Sequence, residues 1–228
     1  MAPYRIRKYQ ESDRPEVVKL FCAGMTEHAP ATFRHMLTLP RTIVLLLGGP
    51  LALFLVSGSW FLSLMANLAL LAALWFLAKC PWAERIAMSL NRDLSDITKT
   101  YLSEPGTCFW VAESQERVVG MVGCLPVEEP ASGRKQLELF HLSVALKHRG
   151  QGMGKALVRT VVHFARDQGY SEVTLSTSVL QGSALGVYQS VGFQKVYEYF
   201  YSLRCRINAV PTVRFIYHLP SARVRGPC

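Results

Sequence analysis

Phe140-His141-Leu142-Ser143-Val144, running on through Lys147-His148-Arg149-Gly150-Gln151-Gly152-Met153-Gly154-Lys155-Ala156-Leu157-Val158, is the stretch that decides how this 228-residue chain is read. An apolar strand enters a turn with glycines at three alternate positions. A helix with apolar residues at 153, 156, 157, 161 and 164 begins at once. Glycines let a backbone come close to a ligand, and the unpaired N–H groups of a helix's first turn point at whatever anion lies there. The stretch therefore predicts a cradle for a phosphate-bearing ligand.

Spacing selects the ligand. A Walker loop needs Gly-x4-Gly-Lys-Ser/Thr, but Arg149 stands five residues before Gly154 and Lys155 is followed by Ala156, which cannot ligate magnesium. A dinucleotide fingerprint needs a third glycine five residues after Gly150, where the chain has Lys155. What fits is Arg-x-x-Gly-x-Gly, Arg149 to Gly154, which resembles the acyl-coenzyme A pyrophosphate loop of the GCN5-related N-acetyltransferases (GNAT). Downstream, Gln181-Gly182-Ser183-Ala184-Leu185-Gly186-Val187-Tyr188-Gln189-Ser190-Val191-Gly192-Phe193 resembles that superfamily's Asn-x-x-Ala-x-x-x-Tyr-x-x-x-Gly-Phe segment, with Gln181 where Asn is usual. It lies one helix and one strand beyond the glycine loop, in the superfamily's order.

Composition limits the alternatives. Twenty-five basic against 16 acidic residues, net +9, raises nucleic acid as a partner. The cations are scattered and no nucleic-acid module is present, so the excess reads either as a solvated basic surface or, more sharply, as attraction of coenzyme A phosphates and anionic lipid headgroups. The cysteines at 22, 80, 108, 124, 205 and 228 have neither CxxC pairing nor histidine spacing for zinc, and read as free thiols with no metal site.

The longest anomaly runs from Thr42 to Ala78, about 37 residues without a charge, bounded by Arg41 and Lys79 and apolar on every face. One bilayer crossing takes about 20 residues, so the run suits two short helices, broken at Gly48-Gly49-Pro50 or at Ser57-Gly58-Ser59. A domain of this size has no core to hide such a run. If residues 4–22 supply a strand and helix to the same sheet as residues 106–144, both ends of the run lie on one side of the membrane. The run is then a helical hairpin, and its flanks are cytosolic. Flanking charge does not separate the ends, since Arg34 and Arg41 precede the run and Lys79, Arg85 and Arg92 follow it. A single-pass anchor with a lumenal catalytic domain is the competing topology.

Around this run the elements follow in order. Residues 4–9 read as a strand, and Asp13 as the cap of a helix with Pro15 in its first turn. Residues 81–102 read as an amphipathic helix. Cys108–Ala112 and Val118–Gly123 form a hairpin, 128–135 a polar loop, 136–144 the strand feeding the glycine turn, and 197–203 and 213–219 two closing strands. The expected fold class is α/β, a mixed sheet flanked by helices with a membrane hairpin inserted between the first two helices. The divisions are 1–40, first strand and helix; 41–79, membrane segment; 80–220, main acetyltransferase domain; and 221–228, tail.

Residues 25–34, 39–42, 47–53, 108–114 and 164–173 are similar to the N-acetyltransferase 8, or camello-like, family, and the similarity extends over nearly the whole chain. The resemblance implies an acetyl-CoA-dependent enzyme of the endoplasmic reticulum membrane, with the ER–Golgi intermediate and Golgi as onward compartments. It implies an amine acceptor: the α-amine of cysteine S-conjugates, a protein lysine including those of histones, or aspartate. Some relatives are tied to cell adhesion and gastrulation, so a membrane protein acting without catalysis is a further alternative.

Direct acetyl transfer needs a neutral amine, a polarised thioester carbonyl and a proton for the departing thiolate. By the resemblance, the loop Arg149, Gly150, Gln151, Gly152, Met153, Gly154 and Lys155, with Gln181, holds the cofactor. The backbone at Leu142 and Val144 holds the thioester carbonyl, and Tyr188 protonates the sulfur. Glu138, placed first, and His141 are the candidate bases, with a water chain and no dedicated base as the alternative. Strand alternation puts 138 and 141 on opposite faces, so at most one faces the cleft unless a bulge intervenes. The resemblance also implies that the segment between the first two helices, here the insertion flanked by His28, Phe33, Arg34 and His35, lies beside the acceptor site, and an acceptor partly dissolved in the membrane would reach the cleft from there. Arg34 is a candidate for binding the acceptor's carboxylate.

Overall fold

The computed structural model describes residues 4–128, 130 and 133–220; the expected tail at 221–228, with Cys228, lies outside them, as does part of the 128–135 loop. Seven strands form one sheet in the order β1-β2-β3-β4-β5-β7-β6. They are β1 Arg5–Lys8, β2 Cys108–Ser114, β3 Arg117–Pro126, β4 Gln136–Val144, β5 Glu172–Ser178, β6 Gln194–Tyr199 and β7 Thr212–His218. Only β4 and β5 run parallel; every other pair is antiparallel. The eight helices of the described residues are α1 Arg14–Thr26, α2 Ala29–Leu37, α3 Pro40–Ser57, α4 Trp60–Asn91, α5 Ile97–Leu102, α6 Met153–Asp167, α7 Gly182–Val191 and α8 Leu203–Ile207.

Strand alternation splits the core between the two faces of the sheet. Cys108, Trp110 and Ala112 of β2 join Leu137 and Leu139 of β4 under Met153, Leu157, Val158 and Val161 of α6. Phe109 and Val111 point the other way, into a second cluster with Val17 and Phe21 of α1 and Ile97 and Tyr101 of α5. That second face is closely packed at β3: a Cβ on Gly123 would stand 2.8 Å from both the Phe109 and Tyr101 rings.

The apolar run forms two helices. Gly58 supplies the turn, with φ +68°, and Ser59 caps α4 by accepting from the Leu62 N–H. Of the two candidate breaks it is the second that is used; Gly48, Gly49 and Pro50 continue inside α3. Both helices are long and apolar enough to cross a membrane, and their apolar windows are only 6% and 11% buried. Because β1 pairs with β2 across this insertion, the chain leaves and re-enters the same sheet.

Three expectations need correction, and one helix was not foreseen. The helix predicted from residue 81 is not separate: α4 runs on through Pro81 to Asn91, and after a turn α5 covers 97–102. Pro81 lacks the N–H that would reach the Leu77 carbonyl, and the buried Asn208 side chain donates to that carbonyl instead, at 3.0 Å. A short α2 also precedes the hairpin. Its Thr32 hydroxyl accepts from Trp82 Nε1 at 2.8 Å, fixing it to α4. Residues 197–203 are not one strand; β6 ends at Tyr199, and Ser202 caps α8 through the Cys205 N–H. Asp13 does not cap α1. Its carboxylate takes the Gln10 N–H and a two-pronged bond from Arg7, which also pairs with Glu113.

Candidate active site

The site is made by a defect in β4. Pairing with β5 stops at Leu139↔Leu175, although both strands continue, so the two splay apart. Over the same residues the β3–β4 register shifts between Met121 and Gly123, and His141 takes φ +55°. This bulge inverts the alternation. Leu137 and Leu139 face α6 before it, and Leu142 and Val144 face α6 after it. His141 thereby joins the face of Glu138, and both line one cavity, the exception that alternation allowed.

Two cavities meet at the splay. The first, about 370 Å³, is lined by Leu142, Val144, Arg149, Gly150, Gly152, Met153, Gly154, Lys155 and Gln181, that is, by the predicted cofactor residues except Gln151 and Tyr188. Gly150 and Gly152 hold φ +75° and +80°, and a Cβ at either would find no protein atom within 4 Å. The side of the turn is open to a ligand and barred to side chains. The first hydrogen bond that α6 accepts is Ala156 N–H to Gly152 O, leaving the N–H groups of Met153, Gly154 and Lys155 without helical partners. Arg149 does not reach outward. Its Nε donates to the Val144 carbonyl at 2.8 Å and its guanidinium pairs with Glu27, tying the turn to the strand end and to α1. Ala145 N–H bonds back to Val119 O, so alternation turns the Val144 N–H toward the splay.

Gln181 bends back on its own loop, accepting from the Thr177 hydroxyl at 2.6 Å and the Ser178 N–H, while its amide nitrogen meets His28 Nε2 at 3.2 Å. Burial, partly offset by Glu27, holds His28 below the ordinary histidine pKa, so it stays neutral beside Arg149.

The second cavity, about 560 Å³, lies under α4. His141, Leu142, Gln181 and Ala184 border both cavities. Tyr188 stands on the wall of the second, 5% exposed and packed against Phe193 and Phe215. Burial pushes its phenol well above the ordinary value, so it stays protonated at neutral pH. Glu138 forms an ion pair with Arg214, which also donates to Ser176 at 3.1 Å and Thr174 at 2.8 Å.

His141 Nε2 bonds the carboxylate of Asp93, which also accepts from the Tyr101 hydroxyl at 2.5 Å. Burial opposes the Asp93 charge, but the bonds from His141 and Tyr101 prevail and keep its pKa below the usual carboxylate value. With an ionised Asp93 taking the Nε2 proton, the lone pair of His141 sits on Nδ1.

The sequence reading missed Asp93 and Arg214. Asp93 lies in the turn after α4, and nothing local marks it. Arg214 carried a faint signal, a cation between Val213 and Phe215 in an apolar strand. Of the residues flanking the insertion, Thr32 lines the second cavity and His28 the first, but Phe33, Arg34 and His35 line neither. Arg34 donates to the Pro30 carbonyl, and the cations at the second cavity are instead Arg85, Arg92 and Arg214. Among the described residues no group of three His, Cys, Asp or Glu side chains is placed to hold a metal.

Residues 71–193 match the acetyltransferase (GNAT) family model. The chain is 64% identical to human N-acetyltransferase 8B and 63% identical to human N-acetyltransferase 8, in each case over 98% of its own length and at least 98% of the relative's. Its fold is similar to that of a GNAT-family acetyltransferase from Staphylococcus aureus, with a TM-score of 0.57 and 16% identity over 96% of this chain and all of that one. It is also similar to the yncA protein of Salmonella typhimurium, solved with its cofactor acetyl-CoA, with a TM-score of 0.52 and 13% identity over the full length of both. The splayed mixed sheet, the glycine turn opening α6 and these full-length relatives together show that the chain belongs to the N-acetyltransferase 8 family of the GNAT superfamily and is an N-acetyltransferase that uses acetyl-CoA.

Proposed function

We propose that the chain is a membrane-bound enzyme of the endoplasmic reticulum and adjoining compartments that acetylates the α-amine of cysteine S-conjugates. The observation that carries this reading is the meeting of the two cavities at His141. The first has the chemistry of a pyrophosphate cradle. The second combines the apolar walls of Trp82, Met88 and Tyr199 with the cations Arg85 and Arg92, a lining suited to a small amphiphilic acid.

In this reading the glycine turn and the free N–H groups of α6 hold the pyrophosphate, and Gly152 allows its close approach. Acetyl-CoA supplies the acetyl group as an activated thioester. The Val144 N–H donates to the developing oxyanion from the splayed edge. His141 Nδ1 takes the proton that the acceptor amine loses as its nitrogen bonds the acetyl carbon, and Asp93 stabilises the resulting imidazolium. Tyr188 donates its proton to the sulfur as the carbon–sulfur bond breaks. The ion pair with Arg214 favours His141 over Glu138 as base. Glu138 and Arg214 then line the acceptor cavity as a fixed dipolar pair.

In the same reading the hairpin α3–α4 lies in the bilayer and the catalytic domain on its cytosolic side, supported by two helices long and apolar enough to cross a membrane. The pairing of β1 with β2 supports a hairpin, since a single crossing would part the two strands. Protection of a C-terminal tag from protease in intact microsomes would overturn this topology. For the acceptor, we would measure coenzyme A thiol release by the lipid-reconstituted protein with S-benzyl-cysteine, aspartate or a lysine peptide, using Tyr188→Phe as control. Release with S-benzyl-cysteine, lost in the variant, is expected. Release with the peptide alone would move the chain to the protein-lysine branch.

A further inference from the structure

Outside the hairpin, among the described residues, large apolar side chains are exposed together at one other place. Between residues 196 and 207, on the edge strand β6, the short α8 and the turn that joins them, stand Val196, Tyr197, Phe200, Tyr201, Leu203 and Ile207, with Leu203 72% exposed. The position of this segment relative to the hairpin is fixed at several points. Asn208 donates to the Leu77 carbonyl that Pro81 leaves free, and Arg41 donates to the carbonyl of Ile207. Arg204 lies 3.4 Å from Glu84, and the Arg85 guanidinium stacks on the Tyr201 ring at 4.6 Å.

Arg41 and Lys79 bound the uncharged run, so they mark the level at which both apolar helices leave the domain. Asn208 and Ile207 are tied to that same level.

We infer that β6, α8 and the turn between them form a second membrane contact, in which Phe200, Leu203 and Ile207 enter the interface of the bilayer that holds the hairpin, while Arg206 reaches its phosphates and Arg204 stays paired with Glu84. This rests on the membrane reading above and extends it to the catalytic domain. The chemistry suits an interface rather than a protein groove. Aromatic and long aliphatic side chains alternate with arginines whose stems lie along apolar surface while their heads stay in water. A five-residue helix cannot span, but it can lie flat. The segment also borders the acceptor cavity, whose rim includes Tyr201, Ser202 and Cys205 on this side and Met88 on α4. Seating the segment in lipid turns that rim to the membrane surface, so an amphiphilic acceptor enters without crossing bulk water.

The test uses the full chain with Cys22, Cys80, Cys205 and Cys228 changed to serine, the buried Cys108 and Cys124 being kept, in vesicles of phosphatidylcholine and phosphatidylserine. A nitroxide is placed in turn at Leu203→Cys, at Leu55→Cys on α3, and at Arg159→Cys on the exposed side of α6. Collision rates with oxygen and with a water-soluble nickel chelate are read by electron spin resonance. The expected result is an oxygen-to-nickel ratio at 203 several-fold above that at 159 and below that at 55. A label at 55 inside the bilayer with 203 as water-exposed as 159 overturns this inference and leaves the hairpin standing. A label at 55 in water overturns the membrane reading itself. Spin–spin broadening at 203 that fades on dilution with unlabelled protein would identify a second copy of the chain as the occupant, and would also overturn the proposal.

Discussion

Replacing Asp93 by Asn tests the proposed proton path at its least visible member. The carboxylate accepts from Tyr101 and His141 through one oxygen, and an amide oxygen in that place keeps both bonds, so the change removes charge with little loss of shape. A hydrogen bond to a charged group contributes about 1.5–3 kcal/mol, and the negative charge matters most when the imidazole becomes imidazolium. At tenfold per 1.36 kcal/mol, kcat should fall by roughly 10- to 150-fold. The KM for acetyl-CoA should stay within about twofold, because Asp93 does not border the glycine-turn cavity. In a His141→Gln background the same substitution should have almost no further effect, since the residue acts only through the ring. Rates come from thiol release in lipid-reconstituted protein, with the folded fraction checked by circular dichroism. An equal loss in both backgrounds, or a fall in kcat matched by a fall in folded protein, would refute the reasoning. The pH dependence of stability has a definite sign. The Asp93 pKa is depressed in the folded state, so its contribution is present above the unfolded value of about 3.9 and is lost as pH falls through the folded value. The stability advantage of wild type over Asp93→Asn should therefore be full at neutral pH and shrink below about pH 4.

Other consequences can be measured with the same material. Tyr188→Phe should lower kcat by about 10²- to 10³-fold while leaving Tm within a few degrees, because none of the hydrogen bonds among the described residues engages its hydroxyl; an unchanged kcat would remove it as the acid. Gly152→Ala should raise the KM for acetyl-CoA about tenfold, because φ +80° disfavours alanine by roughly 1–2 kcal/mol and the new methyl enters the groove. Unchanged cofactor titration would show that the turn is not the cradle. Gly123→Ala, with two rings 2.8 Å from the added carbon, should destabilise the domain by about 1–3 kcal/mol in denaturant titration. Asn208→Ala leaves the Leu77 carbonyl unsatisfied at the helix break and should cost about 1–3 kcal/mol, read as a lower unfolding midpoint in detergent.

The chain's local chemistry determined a good deal by itself. Alternate glycines after an apolar strand mark a tight turn into a helix, because Gly150 and Gly152 take positive φ values that other residues rarely adopt. An uncharged run of 37 residues announces its own helices because no core of this size could bury it. Residues 136–144 read correctly as a strand to the residue. What the sequence could not supply was anything set by contacts between distant segments. Pro81 argued for a helix boundary at 81, and Asn208, 131 positions away, removed the penalty and let α4 continue. Alternation argued that Glu138 and His141 face apart, and a register shift against β3 turned them into one cavity. Asp93 and His141 are 48 residues apart and share no local pattern. Periodicity and turn propensity are properties of neighbouring residues. A hydrogen bond to a free carbonyl, a bulge or a shared proton belongs to the pairing, and only the folded chain decides which residues are paired.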